Sequence, residues 1–339
     1  MRAIGLIDLQ VNGFAGVDFN DAALTPEAMD HALHAMLRIG VTCCLPTLIT
    51  ATEADLAARF AALDAAVANS RLGPLMVPGY HLEGPFLNPT PGYAGCHPSA
   101  AMVLPDIGLI RRVTAELRRP VLLLTVAPER DGASALIAWA AVQPMLVSMG
   151  HTAATAEDVA RGVAAGLTLS THLGNALPQP QPKFLNPMMA QLAEDRLHAG
   201  FIADGIHVPP GALKVMLRAK GLERSFLVTD ATSAAATKPG LYPFAGMTIE
   251  HATDGSVREP GSSVLAGSGL CLDQAVRNVI AWNLAEPTAA LALASDNPLA
   301  LLAPVLARHG IVLPASSVTW SPDWHAQAVQ LGDVRISAS

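Results

Sequence analysis

The chain predicts a closed (β/α)8 TIM-like barrel. Three observations carry that expectation. Short apolar runs alternate with longer amphipathic ones along most of the 339 residues, the pattern of parallel βα units. Eight such apolar runs follow one another without a long interruption, as a closed barrel requires. No GxGxxG follows the first run, which weakens an open dinucleotide-binding sheet.

Taken in order, Gly5–Val11 reads as the first strand and Thr25–Ile39 as its helix, with Thr25-Pro26 supplying a hydroxyl N-cap and an N1 proline. Val41–Leu48 and the helix Glu53–Ser70 come next, then the strand Met76–Leu82 and the helix Asp106–Arg118. Val121–Val126, the helix Ala133–Ala141 and the strand Met145–Met149 follow. Thr155, with Glu157-Asp158 behind it, opens the helix Thr155–Ala165, because a capping hydroxyl and early acids suit a helix N-terminus. Leu167–Thr171, His198–Ala203 and Ser225–Thr229 complete the strands, with a helix at Pro209–Ala219. The stretch His251–Ser268 is turn-rich around Asp254-Gly255, and a last helix covers Gly269–Trp282. After about residue 310 the pattern alternates, in Ser317–Trp320 and Ala326–Ile336. The division expected is a barrel over residues 1–310 and a small β addition over 311–339.

Composition narrows the function classes. A 51% apolar and 14% charged chain is heavily buried, and the net charge of −7 argues against nucleic acid as partner. No apolar run reaches the roughly 18 residues expected of a membrane helix, and Met1–Leu9 is too short for a secretory leader. Cys43, Cys44, Cys96 and Cys271 have neither disulfide nor zinc-knuckle spacing, so a reducing cytoplasm is expected.

Residues at the C-terminal strand ends of a barrel converge on one mouth. Here those ends carry Gln10 and Asn12, Glu83, His151, His172, Asp204 and His207, and Asp230. A hydrolytic metal site needs about three nitrogen or oxygen ligands, an open position for water, and a base. Glu83, His151 and His172 supply the ligands, and Asp230 remains to take a proton from water and return it to a leaving group.

These residues lie in segments that resemble the amidohydrolase superfamily and, within it, the N-acetylglucosamine-6-phosphate deacetylase family. The matching segments are Ile7-Asp8-Leu9-Gln10-Val11-Asn12-Gly13, His81-Leu82-Glu83-Gly84-Pro85-Phe86 and Gly150-His151-Thr152-Ala153-Ala154. Thr171-His172-Leu173-Gly174-Asn175-Ala176, Ala203-Asp204-Gly205-Ile206-His207, Val228-Thr229-Asp230-Ala231-Thr232 and Leu265-Ala266-Gly267-Ser268 continue the series in order. The resemblance implies hydrolysis of the N-acetyl group of a phosphorylated amino sugar to acetate and the free amine. It implies one metal on Glu83, His151 and His172, most simply Zn2+, with Fe2+, Co2+ or Mn2+ also suited to such ligands. Where many superfamily members carry His-x-His and a second metal, this chain has Gln10-x-Asn12, a vestigial metal position. Asp230 falls on the catalytic acid/base. His97, Asn175, Ala176 and His207 fall on positions that hold the sugar or its acetyl group, and Cys96, Asp204, Leu265, Ala266 and Gly267 belong to the same substrate-binding segments. A homodimer is the family expectation.

Two departures stand out. Family members that use phosphorylated sugar carry an arginine about eleven residues beyond the sixth-strand histidine, often reaching the neighbouring subunit's site. Lys183 occupies that position here, a point charge without the bidentate fork. The family's β-sandwich draws on residues before the first barrel strand, and this chain reaches that strand within ten residues of Met1. Only a remnant of the sandwich is therefore expected, in the tail. Alternatives are N-acetylgalactosamine-6-phosphate or an unphosphorylated N-acetylhexosamine as substrate, and an inactive sugar-binding protein.

Overall fold

The computed structural model describes residues 1–337. Eight parallel strands run in chain order round one sheet: Leu6–Val11, Val41–Ile49, Tyr80–Glu83, Val121–Val126, Leu146–Met149, Leu169–Ser170, His198–Phe201 and Ser225–Leu227. The eighth meets the first beyond its end, through a parallel bridge between Val11 and Ala231 and a 2.9 Å bond from Asp230 N–H to the Gln10 carbonyl. The barrel expectation holds. Its strands are buried on both faces, which is why they read as near-continuous apolar runs rather than as alternating ones.

The helices start where capping chemistry allows. Thr25 accepts from Ala28 N–H ahead of Pro26–Arg38, Thr52 caps Glu53–Asn69, and Thr155 and Asp158 form a reciprocal capping box on Ala156–Ala165. The third strand begins later than the apolar run suggests, because Gly73–Met76 folds as a helical turn. Its last residue is Glu83 itself. The fourth helix stops at Thr114, where the hydroxyl turns back to the Ile110 carbonyl. Three helices lie outside the sequence expectation: Pro187–Ala193, Pro287–Ala292 and Asp296–Arg308. The stretch Pro287–Arg308 is long and apolar enough to cross a membrane by length and composition, with half of its most apolar window buried in the fold.

Besides the short hairpin Gly13–Phe14 with Val17–Asp18, two small antiparallel sheets flank the barrel among the described residues. One joins Ser316–Trp320, Ala326–Leu331 and Val334–Ser337, with Arg2–Ala3 paired along Val318 and Thr319, so residues from both ends of the chain share it. Trp320 lies against Gly40, where a Cβ would stand 2.9 Å from its ring and φ is +95°. The other sheet, Gly240–Phe244, Met247–His251 and Val257–Arg258, covers part of the mouth. It builds a second core from Ile49, Ala234, Phe244, Ile249, Val257 and Ala266.

Candidate active site

Side chains alternate along a strand, so His81 and Glu83 both point to the barrel axis. Glu83 is 1% exposed and forms the centre of the site. His172 Nε2 lies 3.1 Å and His151 Nε2 3.5 Å from its Oε1, while His97 Nε2 lies 3.7 Å from Oε2. The three rings adjoin at centroid separations of 4.3 Å (His97 to His151, tilted by 50°) and 5.0 Å (His151 to His172, edge to face at 79°). Donor atoms of Glu83, His97 and His151 fall within 4.8 Å of one another, so the structure brings a third imidazole to the carboxylate.

The proton positions follow from the outer partners. His151 Nδ1 is 2.8 Å from the Tyr93 carbonyl, which can only accept, so its proton sits there and the Nε2 lone pair faces Glu83. His97 Nδ1 is 2.9 Å from Thr50 Oγ1, a hydroxyl whose own proton points to the Glu83 carbonyl. Its Nε2 lone pair therefore also faces the carboxylate. Lone pairs opposed to carboxylate oxygens across a buried gap call for a cation between them, so the donor set fits a divalent metal.

Electrostatics agree in direction. Burial would raise the Glu83 carboxyl, but the imidazoles crowded against it, His172 in hydrogen-bond contact among them, hold it well below the usual carboxylate range. Burial opposes a charged His172, and the Glu83 carboxylate outweighs it and lifts its pKa. Burial, with His151 alongside, pushes His97 down to about 3.

Asp230 stands across the floor. Gln10 Nε2 donates at 3.1 Å to both oxygens of Glu83 and to Asp230 Oδ1, and Asn12 Nδ2 donates to the same Oδ1 at 2.7 Å. The two amides thus present N–H groups to the carboxylates where a second cation would otherwise sit. Burial is the main influence raising the Asp230 carboxyl, partly opposed by His172. His151 (φ +50°), His172 (φ +28°) and Asp230 (φ +50°) all adopt left-handed backbone, which non-glycine residues rarely do. Such strain clusters where the surrounding fold holds a side chain in place for function.

These groups line one cavity of about 300 Å³ at the mouth. Asn12, Cys96, His97, Asn175, Ala176, His207, Leu265 and Gly267 share its wall, as do Ile49, Phe244 and Val264, which the sequence had not marked. Gly267 passes so near the Asp230 carbonyl that a Cβ would stand 2.8 Å from it, with φ at +64°. Asp204 stands behind the wall, its Oδ2 accepting from His207 Nδ1 at 2.6 Å, which aims the other ring nitrogen into the cavity. Ala266 is turned into the second core. Lys183 is exposed and outside this wall, on a loop with exposed Phe184 and Leu185. Neither Phe244 nor Ile49 falls in a strand expected from the sequence; the structure puts them at the ends of Gly240–Phe244 and Val41–Ile49.

No family model matches the chain. Among curated proteins it is 32% identical over 297 residues to the N-acetylgalactosamine-6-phosphate deacetylase of Escherichia coli O157:H7, covering 87% of this chain and 76% of that protein. It is 31% identical over 278 residues to the N-acetylglucosamine-6-phosphate deacetylase of Bacillus subtilis, covering 81% and 68%. A mutant N-acetyl-D-glucosamine-6-phosphate deacetylase from Mycobacterium smegmatis, solved with N-acetyl-D-glucosamine-6-phosphate, superposes with a TM-score of 0.86 at 29% identity, covering 97% of this chain and 85% of that one. With its closed barrel and with relatives aligned over most of both lengths, the chain belongs to the N-acetylglucosamine-6-phosphate deacetylase family of the amidohydrolase superfamily.

Proposed function

We propose that this chain hydrolyses the acetamide of N-acetylglucosamine-6-phosphate, releasing acetate and glucosamine-6-phosphate. One divalent metal, most simply zinc, would be held by Glu83, His151 and His172. The observation that carries this reading is the sharing of Glu83 Oε1 by His151 and His172, with Asp230 facing them across the Gln10 amide. When bound, a divalent ion supplies Lewis-acid polarisation and a more acidic water.

The residues divide the remaining work. Asp230 takes a proton from the attacking water as the water oxygen bonds to the acetyl carbon. It returns that proton to the sugar nitrogen as the carbon–nitrogen bond breaks, so a free amine and acetic acid form and the Asp230 carboxylate is restored; the acid's remaining proton passes to the amine, which leaves acetate and an ammonium. Asn12 and Gln10 hold Asp230 toward the water by their N–H groups. His207, aimed by Asp204, and the Asn175–Ala176 turn hold the sugar and its acetyl group. Phe244 and Ile49 close an apolar wall that keeps bulk water from the carbonyl.

For the phosphate, Lys183 has no place in its own cavity wall. Its exposed loop suits the reach of the family arginine into a neighbouring subunit, so we assign phosphate binding to Lys183 within a homodimer working in the cytoplasm. N-acetylgalactosamine-6-phosphate is the second reading, favoured by the 32% identity to a deacetylase of that sugar.

Acetate release by the zinc-loaded protein tests the assignment, with both phosphorylated sugars and free N-acetylglucosamine run side by side. Preference for N-acetylglucosamine-6-phosphate is the expected result, with Lys183→Ala raising its KM about tenfold, as loss of one charge-assisted contact would. A preference for the galacto epimer or the free sugar would change the substrate and keep the mechanism. No release from any of them would overturn the reading.

A further inference from the structure

Beneath the cavity floor, five polar side chains on five successive strands touch in one line. Thr47 Oγ1 is 3.1 Å from His81 Nδ1, and His81 Nε2 is 2.8 Å from Thr125 Oγ1. Thr125 Oγ1 is 2.8 Å from Thr171 Oγ1, which is 2.5 Å from Ser148 Oγ. All five residues are buried. Barrel interiors are ordinarily filled by branched aliphatic side chains, and an apolar layer would hold the strands about as well, since a buried hydrogen-bonded pair adds little net stability over a well-packed apolar one. A line of hydroxyls and one imidazole is therefore retained for geometry, which hydrogen bonds specify and aliphatic packing does not.

With the Thr47 proton on the Leu45 carbonyl, the line takes a single direction. Thr47 Oγ1 accepts the Val11 N–H at 3.1 Å and gives its own proton to the Leu45 carbonyl at 3.2 Å. It can then only accept from His81, which places the imidazole proton on Nδ1 and leaves Nε2 to accept from Thr125. Thr125 in turn accepts from Thr171, and Thr171 from Ser148. Every hydroxyl proton runs the same way, from the fifth strand to the second.

Each contact also sits beside a residue of the site. His81 is two residues before Glu83, Thr125 is the register partner of Glu83, and Thr171 directly precedes His172. Ser148 precedes Gly150-His151, and a Cβ at Gly150 would meet Thr171 Cβ at 2.9 Å and Thr125 Cγ2 at 3.0 Å. The turn that carries His151 is thus seated on the same hydroxyl line that precedes His172.

We infer that Thr47, His81, Thr125, Thr171 and Ser148 form one directional hydrogen-bond chain that sets the relative positions of Glu83, His151 and His172. They are positioning residues for a metal that none of them touches. This rests on the metal assignment proposed above.

Thr125→Val breaks the chain at its middle with little change of shape, and Thr125→Ser keeps the hydroxyl. Zinc affinity is measured by competition with a chromogenic chelator, alongside KM and kcat at saturating zinc. Thr125→Val should weaken zinc about 10- to 100-fold, the usual loss when support behind a ligand is removed, and leave KM within about twofold. Thr125→Ser should bind zinc within about threefold of the unaltered protein. Glu83→Gln is the control for the underlying assignment. If it binds zinc normally, the ligand set is wrong; if it loses zinc while Thr125→Val keeps full affinity, only the positioning chain is refuted. Should Thr125→Val fail to fold, ¹⁵N–¹H correlation of the imidazoles in the unaltered protein decides, with His81 located by comparison with His81→Gln. An Nδ1–H tautomer supports the chain, and an Nε2–H tautomer reverses its direction and overturns it.

Discussion

Asp8 offers a perturbation whose size and sign both follow from the structure. It is 1% exposed at the start of the barrel floor, and burial raises its carboxyl to about 7 against bonds from Thr229 and Gln10 that favour the anion. Oδ1 accepts from the Gln10 and Thr229 N–H groups, and Oδ2 lies 2.6 Å from Thr229 Oγ1. An asparagine fits the same contacts: its Oδ1 keeps both N–H donors, and its amide donates to Thr229 Oγ1, whose proton turns to the Gln10 carbonyl 3.3 Å away. The folded pKa lies above the unfolded one. Folding is therefore favoured by the shared proton below pH about 4, and that advantage is lost as pH rises toward 7. Asp8→Asn abolishes the titration, so its stability relative to the unaltered protein should climb between those limits and level off above. A difference near three pKa units corresponds to roughly 2–4 kcal/mol for a buried group, or about 3–6 °C in melting temperature for a chain this long. Thermal melts of both proteins at pH 5, 6, 7 and 8 measure it, and the paired difference cancels the other titrating groups. A difference that stays flat with pH, or an Asp8→Asn protein less stable at pH 8 than at pH 5 relative to its parent, would refute a buried neutral Asp8.

Asp230→Asn keeps the Asn12 and Gln10 geometry but cannot carry the proton. Acetate-release kinetics should show kcat down about 10²- to 10⁴-fold with KM within about threefold, and an unchanged kcat would remove Asp230 from the mechanism. Thr155→Ala removes half of the capping box on Ala156–Ala165; calorimetry should show a loss of about 1 kcal/mol with activity intact.

The barrel was legible because its strands are buried on both faces, so each stands out as an apolar run whose end is marked by a polar residue. Glu83, His151, His172 and Asp230 could be picked out for that reason, as could the Thr25 and Thr155 caps. The start of the third strand falls later than its pattern indicates: the apolar residues Met76 and Val77 extend its run backwards, whereas Pro78-Gly79 makes a bend and the strand begins at Tyr80. The left-handed turns at His151, His172 and Asp230 were hidden for a related reason. Such conformations usually announce themselves with glycine or asparagine, and here the strain falls on the functional side chains themselves. Phe244 reaches the cavity only through tertiary packing of the mouth sheet, and local pattern does not carry that information; Ile49 reaches it as the last residue of the second barrel strand, one position beyond the apolar run Val41–Leu48. His81 stood in a motif segment without an assigned role, because its two partners, Thr47 and Thr125, come from the strands on either side.

The place of His97 remains the sharpest division between spacing and geometry. Its donor atom groups with those of Glu83 and His151, whereas the strand-end pattern selects His172. The oxygen each imidazole faces is the observation behind the ligand set proposed above. His151 and His172 share Oε1 at 3.5 Å and 3.1 Å, but His97 faces Oε2 at 3.7 Å, with its far nitrogen tied to Thr50. The proposed ligand set takes the two imidazoles on one oxygen as a common site and leaves the third to meet substrate from the cavity wall. His172→Asn should then weaken zinc at least about 100-fold in chelator competition, the scale at which a ligand or its immediate support is lost. His97→Asn should keep zinc within about threefold and raise KM about tenfold, a loss of one substrate hydrogen bond. Equal zinc loss in the two variants would move the ligand set to Glu83, His97 and His151, and with it the direction from which the sugar enters.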